Sequence, residues 1–190
     1  MTSPQSPPAL PVRDWGDERT RSIHWHDPLR TAALGGTLSG LALLEAIRDG
    51  MLPPPPMAAV FGFRILSLEP GRVVFCCEPD ESTYNPIGTV HGGLACTLAD
   101  TVTGCAVQSV LEPGSSYTTI DIAVSFLRPV TLASGMLRAT GVVTRSGRRV
   151  AFATAEVQDA DGRLVATATS SLLINSPLGR AQEEEPVSRP

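Results

Sequence analysis

The hydrophobic pattern of this chain changes its period after a run of prolines. In "FGFRILSLEPGRVVFCCEP", Phe63, Ile65 and Leu68 alternate with polar positions on one arm, and Val73, Phe75 and Cys77 do so on the other. Glu69, Pro70 and Gly71 stand between them, which predicts a β-hairpin. Four later stretches, "SYTTIDIAVSFLRPV", "GMLRATGVVTRSG", "RRVAFATAEVQDADG" and "RLVATATSSLLIN", are rich in Val, Thr, Ile and Ala. Gly, Pro or Asp-Gly turns separate them, so four more strands are expected. Between the two blocks lie an irregular loop, residues 80–89, and a long apolar stretch without alternation, residues 91–111, which predicts one helix.

Upstream, "TLSGLALLEAIRDGMLPPPP" places Leu38, Leu41, Leu44 and Ile47 on one side of a short amphipathic helix lying across the domain surface. Thr37 or Ser39 is its cap, and Gly50 with Pro53 ends it. The order is therefore two strands, one long helix, then four strands. A lone helix in that order buries its apolar surface by lying lengthwise on the concave face of a curled sheet. The expected class is α+β: a central helix wrapped by an antiparallel sheet of about six strands.

Residues 1–28 are rich in Pro, Ser and charge and show no hydrophobic period, so they read as a flexible arm. The tail from residue 177, with its Glu run, reads as disordered and acidic. The organisation expected is an arm with a short helix over 1–52, one domain over 53–176 and the tail over 177–190. A length of 190 residues suits a single core.

Composition narrows the function classes. The chain is 42% hydrophobic and 18% charged with a formal net charge of -4, which gives no electrostatic footprint for nucleic acid or an anionic membrane. The first residues lack the basic-then-apolar pattern of a signal peptide or anchor, so a cytoplasmic location is expected. His91, Thr97, Asp100, Thr101, Thr103 and Gln108 interrupt the most apolar window and make it a poor lipid-facing span. Cys76, Cys77, Cys96 and Cys105 show no metal-like spacing and are expected to be free thiols packed as small hydrophobes. His24 and His26 flank Trp25 without a third ligand, so no metal site is expected.

One residue stands apart. On a helix over 91–111, Thr97, Asp100, Thr101, Gly104 and Gln108 fall on one side, while Leu94, Leu98, Val102, Cys105 and Val110 cover the rest. Asp100 then borders a cleft or an interface. Left buried and unpaired, its carboxylate would cost several kcal/mol, roughly, so it has a partner or a use. The structural option is a strand arginine, or hydrogen bonds from Thr97 and Thr101. The chemical option draws on Gly92 and Gly93, which stand where the helix begins. Amide N–H groups there lack intrahelical acceptors, and the absence of side chains lets a ligand oxygen approach. Donors at a helix start and a carboxylate two turns along suit attack on an acyl carbonyl.

Asn85, five residues, His91-Gly92-Gly93, six residues and Asp100-Thr101 together resemble the signature of hotdog-fold acyl-CoA thioesterases of the phenylacetate-pathway (PaaI) type. The likeness spans roughly residues 53–175, including the strand order and the Arg128-Pro129 pair that ends the strand after the helix. The resemblance implies hydrolysis of acyl-CoA thioesters, with Asp100 as general base or nucleophile. It implies that Asn85 and the amide of Gly92 or Gly93 hold the thioester oxygen. Thr119 would help to place the water, with Thr118 as the other register. His91 tempts as a base, but the family pattern makes its ring an element that shapes the loop. His91 and Thr101 join Thr118 as candidate substrate contacts. The resemblance further implies a homodimer or homotetramer with the site at the subunit interface, where Asn85 and the glycines come from one copy and Asp100 and Thr119 from the other. No cofactor is implied beyond the coenzyme A of the substrate.

Coenzyme A carries phosphates, for which Arg145, Arg148 and Arg149 at a hairpin tip, and Arg128, are candidate partners. Leu94, Phe61 and Phe126 are candidate pocket-lining residues. Two other readings share the fold: an enoyl-CoA hydratase or dehydratase, and a non-catalytic acyl-CoA-binding protein.

Overall fold

A computed structural model describes residues 16–175. The tail read for 177–190 and the first half of the arm lie outside the described residues. The elements are α1 (Pro28–Gly35), α2 (Gly40–Arg48), α3 (Pro56–Phe61), β1 (Arg64–Glu69), β2 (Arg72–Cys77), α4 (Gly92–Gln108), β3 (Ser116–Phe126), β4 (Leu137–Ser146), β5 (Val150–Gln158) and β6 (Leu164–Asn175). The strands form one antiparallel sheet in the order β1-β2-β4-β5-β6-β3. This is the expected order of two strands, a long helix and four strands, and β3 is left as an edge.

Helix α4 lies on the concave face. Leu98, Ala99, Val102 and Ala106 have no exposed surface, and they share one core with Val73, Phe75, Leu137 and Val157 of the sheet. The approach is close enough to dictate a residue type: a Cβ at Gly141 of β4 would strike the backbone carbonyl of Val102. Strand and helix thus meet backbone to backbone at that point. The helix ends at Gln108, with Ser109 as its C-cap, earlier than 111. Val110, expected on its apolar face, is 38% exposed, because it lies beyond the last turn.

Three helices precede the sheet where the sequence reading placed one. Ser39 caps α2 by accepting from the Ala42 N–H at 3.3 Å, and Gly50 follows the end of the helix with φ 76°. Helix α1 opens with Asp27 accepting from the Leu29 N–H at 2.9 Å and has Pro28 in its first turn. Helix α3 starts within the proline run and stops at Gly62, whose φ is 68°. Both are too short for an amphipathic period to show in the sequence. Residues 16–27 have no regular element, but they are tethered. Arg21 donates to Ser82 Oγ at 3.1 Å and pairs with Asp80 at 3.4 Å, and Arg19 stands 3.6 Å from Glu81. These exposed pairs contribute little individually.

Helix α2 is fastened to the end of α4. The Gly40 N–H donates to the Leu111 carbonyl at 2.9 Å, and a Cβ at Gly40 would meet the Gln108 carbonyl. Leu44 joins the main core. At the other end of the sheet, the β5–β6 turn is held by the buried carboxylate of Asp159. Its Oδ1 accepts the N–H groups of Asp161 and Arg163, and its Oδ2 accepts Arg163 Nε at 2.8 Å. Burial alone would raise the pKa of Asp159, but the Arg163 amide and guanidinium and the Asp161 amide outweigh it and hold the carboxyl below its ordinary range.

Two stability measurements follow from these contacts. Gly141→Ala should destabilise the fold by about 1–3 kcal/mol through forced separation of β4 from α4, read as a lower denaturation midpoint. The stability contributed by Asp159 is complete above the ordinary aspartate pKa of about 3.9 and is lost as pH falls from there through the depressed folded value. The gap in unfolding midpoint between wild type and Asp159→Asn should therefore be open at neutral pH and narrow under strongly acidic conditions. A gap of constant width would contradict the assignment.

Candidate active site

Asp100 sits near the middle of α4, half-buried, on the side that turns toward β3. Thr119 of β3 reaches it: the threonine Oγ1 donates to Asp100 Oδ1 at 2.9 Å. Strand alternation selects this threonine. Thr118 points to the opposite face, where its hydroxyl accepts from Asn175 Nδ2 at 3.1 Å. The structural alternatives for Asp100 are both absent. No arginine pairs with it among the described residues, and the hydroxyls of Thr97 and Thr101 donate to the carbonyls of Gly93 and Thr97, each at 2.8 Å. The second carboxylate oxygen, Oδ2, accepts no bond among the described residues.

Tyr117, missed by the sequence reading, shares the face of Thr119 and fills the space over Gly104. A Cβ at Gly104, one turn beyond Asp100, would collide with the phenol oxygen. The signal was present in the two-residue spacing from Thr119 and the four-residue spacing from Asp100, but neither position names the other. Burial pushes the Tyr117 phenol well above its ordinary range, and Cys105 and Asp100 nearby act in the same direction. Burial likewise pushes the Cys105 thiol up to about 12, with Asp100 adding to it, so this cysteine is a neutral wall and not a thiolate nucleophile.

The start of α4 is a separate assembly. His91 is its N-cap, and His91 Nδ1 accepts the Gly93 N–H at 2.8 Å. The ring therefore shapes the loop, and the Gly93 amide is already occupied. The Gly92 amide, at the first helical position, has no acceptor one turn back. Both glycines also have steric reasons: a Cβ at Gly93 would stand 2.8 Å from His91 Nδ1, and one at Gly92 would stand 3.1 Å from the Phe126 ring. Asn85 ties its own loop, accepting the N–H groups of Ile87 and Thr89 through Oδ1 and donating through Nδ2 to Thr89 Oγ1 at 2.9 Å. A primary amide has two donor hydrogens, so one remains.

Asn85, His91, Gly92, Phe126 and Arg128 border one cavity of about 460 Å3. Asp100 and Thr119 do not border it. Eight residues of helix, about 12 Å, separate the Gly92 amide from Asp100. A second cavity on the other flank of the helix start, about 370 Å3, is bordered by Phe61, Leu94 and Thr97. The arginines are divided too. The Arg128 N–H donates to the Val165 carbonyl at the start of β6, whereas the Arg149 carbonyl accepts from Ile174 near its end. Nine residues of strand, about 30 Å, place Arg145, Arg148 and Arg149 at the far end of the sheet from Arg128.

Comparison with known proteins bears on both fold and motif. A sequence profile described as the Thioesterase superfamily matches residues 87–166, the stretch from the glycine loop to the start of β6. Human acyl-coenzyme A thioesterase 13 is 30% identical over 103 residues, 54% of this chain and 72% of that protein. Among solved structures, a phenylacetic acid degradation-related protein from Ralstonia eutropha is 32% identical with a TM-score of 0.64, covering 68% of this chain and 98% of that one. The E. coli PaaI protein is 26% identical with a TM-score of 0.62, over 72% of this chain and 94% of its own. A Streptococcus mutans protein solved with acetyl CoA is 26% identical with a TM-score of 0.55, covering 60% and 89%. With the curled sheet, the central helix and the glycine-loop motif in agreement, the chain belongs to the Thioesterase superfamily, as a hotdog-fold thioester hydrolase of the PaaI type.

Proposed function

We propose that this protein hydrolyses acyl-CoA thioesters to a free carboxylic acid and coenzyme A, with Asp100 as general base. The observation that carries this reading is the Thr119–Asp100 hydrogen bond of 2.9 Å on a carboxylate with no cationic partner among the described residues. One oxygen is held by the strand and the other is open to a water. Asp100 takes a proton from that water as its oxygen bonds to the thioester carbon. The resulting oxyanion is met by the Gly92 N–H and the remaining Asn85 Nδ2 hydrogen. Collapse breaks the C–S bond, and the departing sulfur takes the proton back from Asp100. His91 orders the loop, Thr101 flanks the base, and Thr118 faces away from it.

Because about 12 Å of helix separates the two halves of the machinery within one protomer, the reading needs two copies. Asp100 and Thr119 of one copy would face Asn85 and Gly92 of the other. Edge strand β3 supports this arrangement: among the described residues it pairs only with β6, and it leaves Ile120, at its bulge, 58% exposed. Acyl-CoA as substrate fits the relatives, one named an acyl-coenzyme A thioesterase and one solved with acetyl CoA. Arg128, at the cavity of Gly92, is the proposed phosphate contact of that copy. Arg145 and Arg148 would contribute only from the other.

The tests are kinetic. Asp100→Asn should lower kcat for thiol release by about 10²–10⁴-fold while the unfolding midpoint is preserved, and undiminished turnover would refute the assignment. Thr119→Val should cost about tenfold in kcat, with Thr119→Ser restoring most of it. Co-expressed Asp100→Asn and Asn85→Ala chains should regain roughly a quarter of wild-type activity, since half of random dimers carry one intact site of two. Failure of such mixtures to exceed either parent would exclude a shared site. In a single turnover in ¹⁸O-water, the label should enter the product acid and not the protein, whereas labelled Asp100 would identify a covalent anhydride. With an enoyl-CoA substrate, hydrolysis releases free thiol in step with loss of the enoyl-thioester chromophore, whereas hydration removes the chromophore without releasing thiol.

A further inference from the structure

An apolar cleft lies outside the chemistry above. It lies between the N-terminal helices and the outward side of α4, encloses about 350 Å3, and is bordered by Ile47, Met57, Phe63, Phe75, Thr101 and Cys105. A dry apolar cavity of about 150 Å3 already takes up benzene, so this one has room for a ring or a chain of several methylenes. The roof is built in. Gly40 is hydrogen-bonded to Leu111, Leu44 is part of the core, and the proline run at 53–56 has restricted backbone freedom.

Two further observations say what the cleft accepts. Its wall begins at Thr101, the residue after Asp100, and the Thr101 hydroxyl is already donated to the Thr97 carbonyl. The cations at its rim are also taken. Arg48 is held in a fork by Asp49 at 2.8 and 3.0 Å, and Arg64 donates to Glu78 at 3.1 Å. An acid-terminated acyl group would therefore find no free cation there, and its carboxylate would lose solvation without return.

We propose, resting on the hydrolysis reading, that this cleft is the acyl chamber and that it selects thioesters of uncharged apolar acids, such as aryl or medium-chain acyl groups. The N-terminal extension then sets substrate range: Met57 stands at the mouth and Cys105 at the inner wall. Neither residue belongs to the proposed catalytic machinery.

A binding measurement separates this proposal from the one on which it rests. The full chain is titrated with coenzyme A, with the thioether S-octyl-CoA, which cannot be hydrolysed, and with S-(5-carboxypentyl)-CoA. Wild type should bind S-octyl-CoA at least tenfold more tightly than coenzyme A, and the carboxylated thioether no more tightly than coenzyme A. Met57→Trp and Cys105→Phe, which fill the cleft, should each bring the octyl advantage close to one while leaving coenzyme A affinity as in wild type. Met57 is 54% exposed, so its replacement reads the cleft even if Cys105→Phe disturbs folding. An octyl advantage that survives Met57→Trp, or that is absent in wild type, overturns the chamber. Equal affinity for the carboxylated thioether overturns the selectivity. Binding as expected without thiol release from octanoyl-CoA leaves the chamber in place and removes the hydrolytic reading instead.

Discussion

Everything in this fold depends on the burial of one helix against one sheet. Leu98, Ala99, Val102 and Ala106 present an unbroken apolar stripe, and the sheet curls around it until Gly141 touches the helix backbone. Burial of apolar area is the dominant favourable term, and close packing converts it into fixed geometry. The consequence for chemistry is that every group on α4 is positioned by core packing. Asp100 is held where β3 can reach it because α4 has no freedom to rotate without exposing that stripe.

The same helix serves as a ruler. Its first turn offers an amide with no acceptor, ordered by the His91 cap, and its middle offers a carboxylate ordered by Thr119. The separation is too great for one acyl carbonyl to meet both within a protomer, so the proposed chemistry calls on two copies. Sheet topology answers the mismatch by leaving β3, the strand that carries Thr119, on the edge. The strand that orders Asp100 is thereby, among the described residues, a strand open to a second copy.

The N-terminal extension alters the outward side of this frame. Its helices are too short to persist alone: α2 is ordered by α4 and the core through Gly40 and Leu44, α3 by the core through Ala58 and Phe61, and α1 abuts α2 where Gly35 faces Leu43. They enclose an apolar space against Thr101 and Cys105 while the rim arginines are neutralised by neighbouring carboxylates. In the proposed chemistry, a part of the chain with no catalytic group thus bears on what can lie near Asp100.

Much of this was legible in the sequence, because periods and caps are local. Alternation marked the first hairpin, stretches rich in Val, Thr, Ile and Ala between turn residues marked the four later strands, the long apolar run marked α4, and Thr37 or Ser39 with Gly50 marked the limits of α2. The spacing of Asn85, the glycines and Asp100 marked the family, and the resemblance left Thr119 and Thr118 as two registers. What only the tertiary structure decided was non-local or too short to have a period: helices α1 and α3, the choice of Thr119 over Thr118, and the fit of Tyr117 over Gly104. It also decided that the Gly93 amide is spent on His91 and that Arg128 lies far from Arg145 and Arg148. Such facts depend on which atoms meet across the sheet. A linear sequence specifies the side chains that must be buried, but their partners are set only when the sheet closes around its helix.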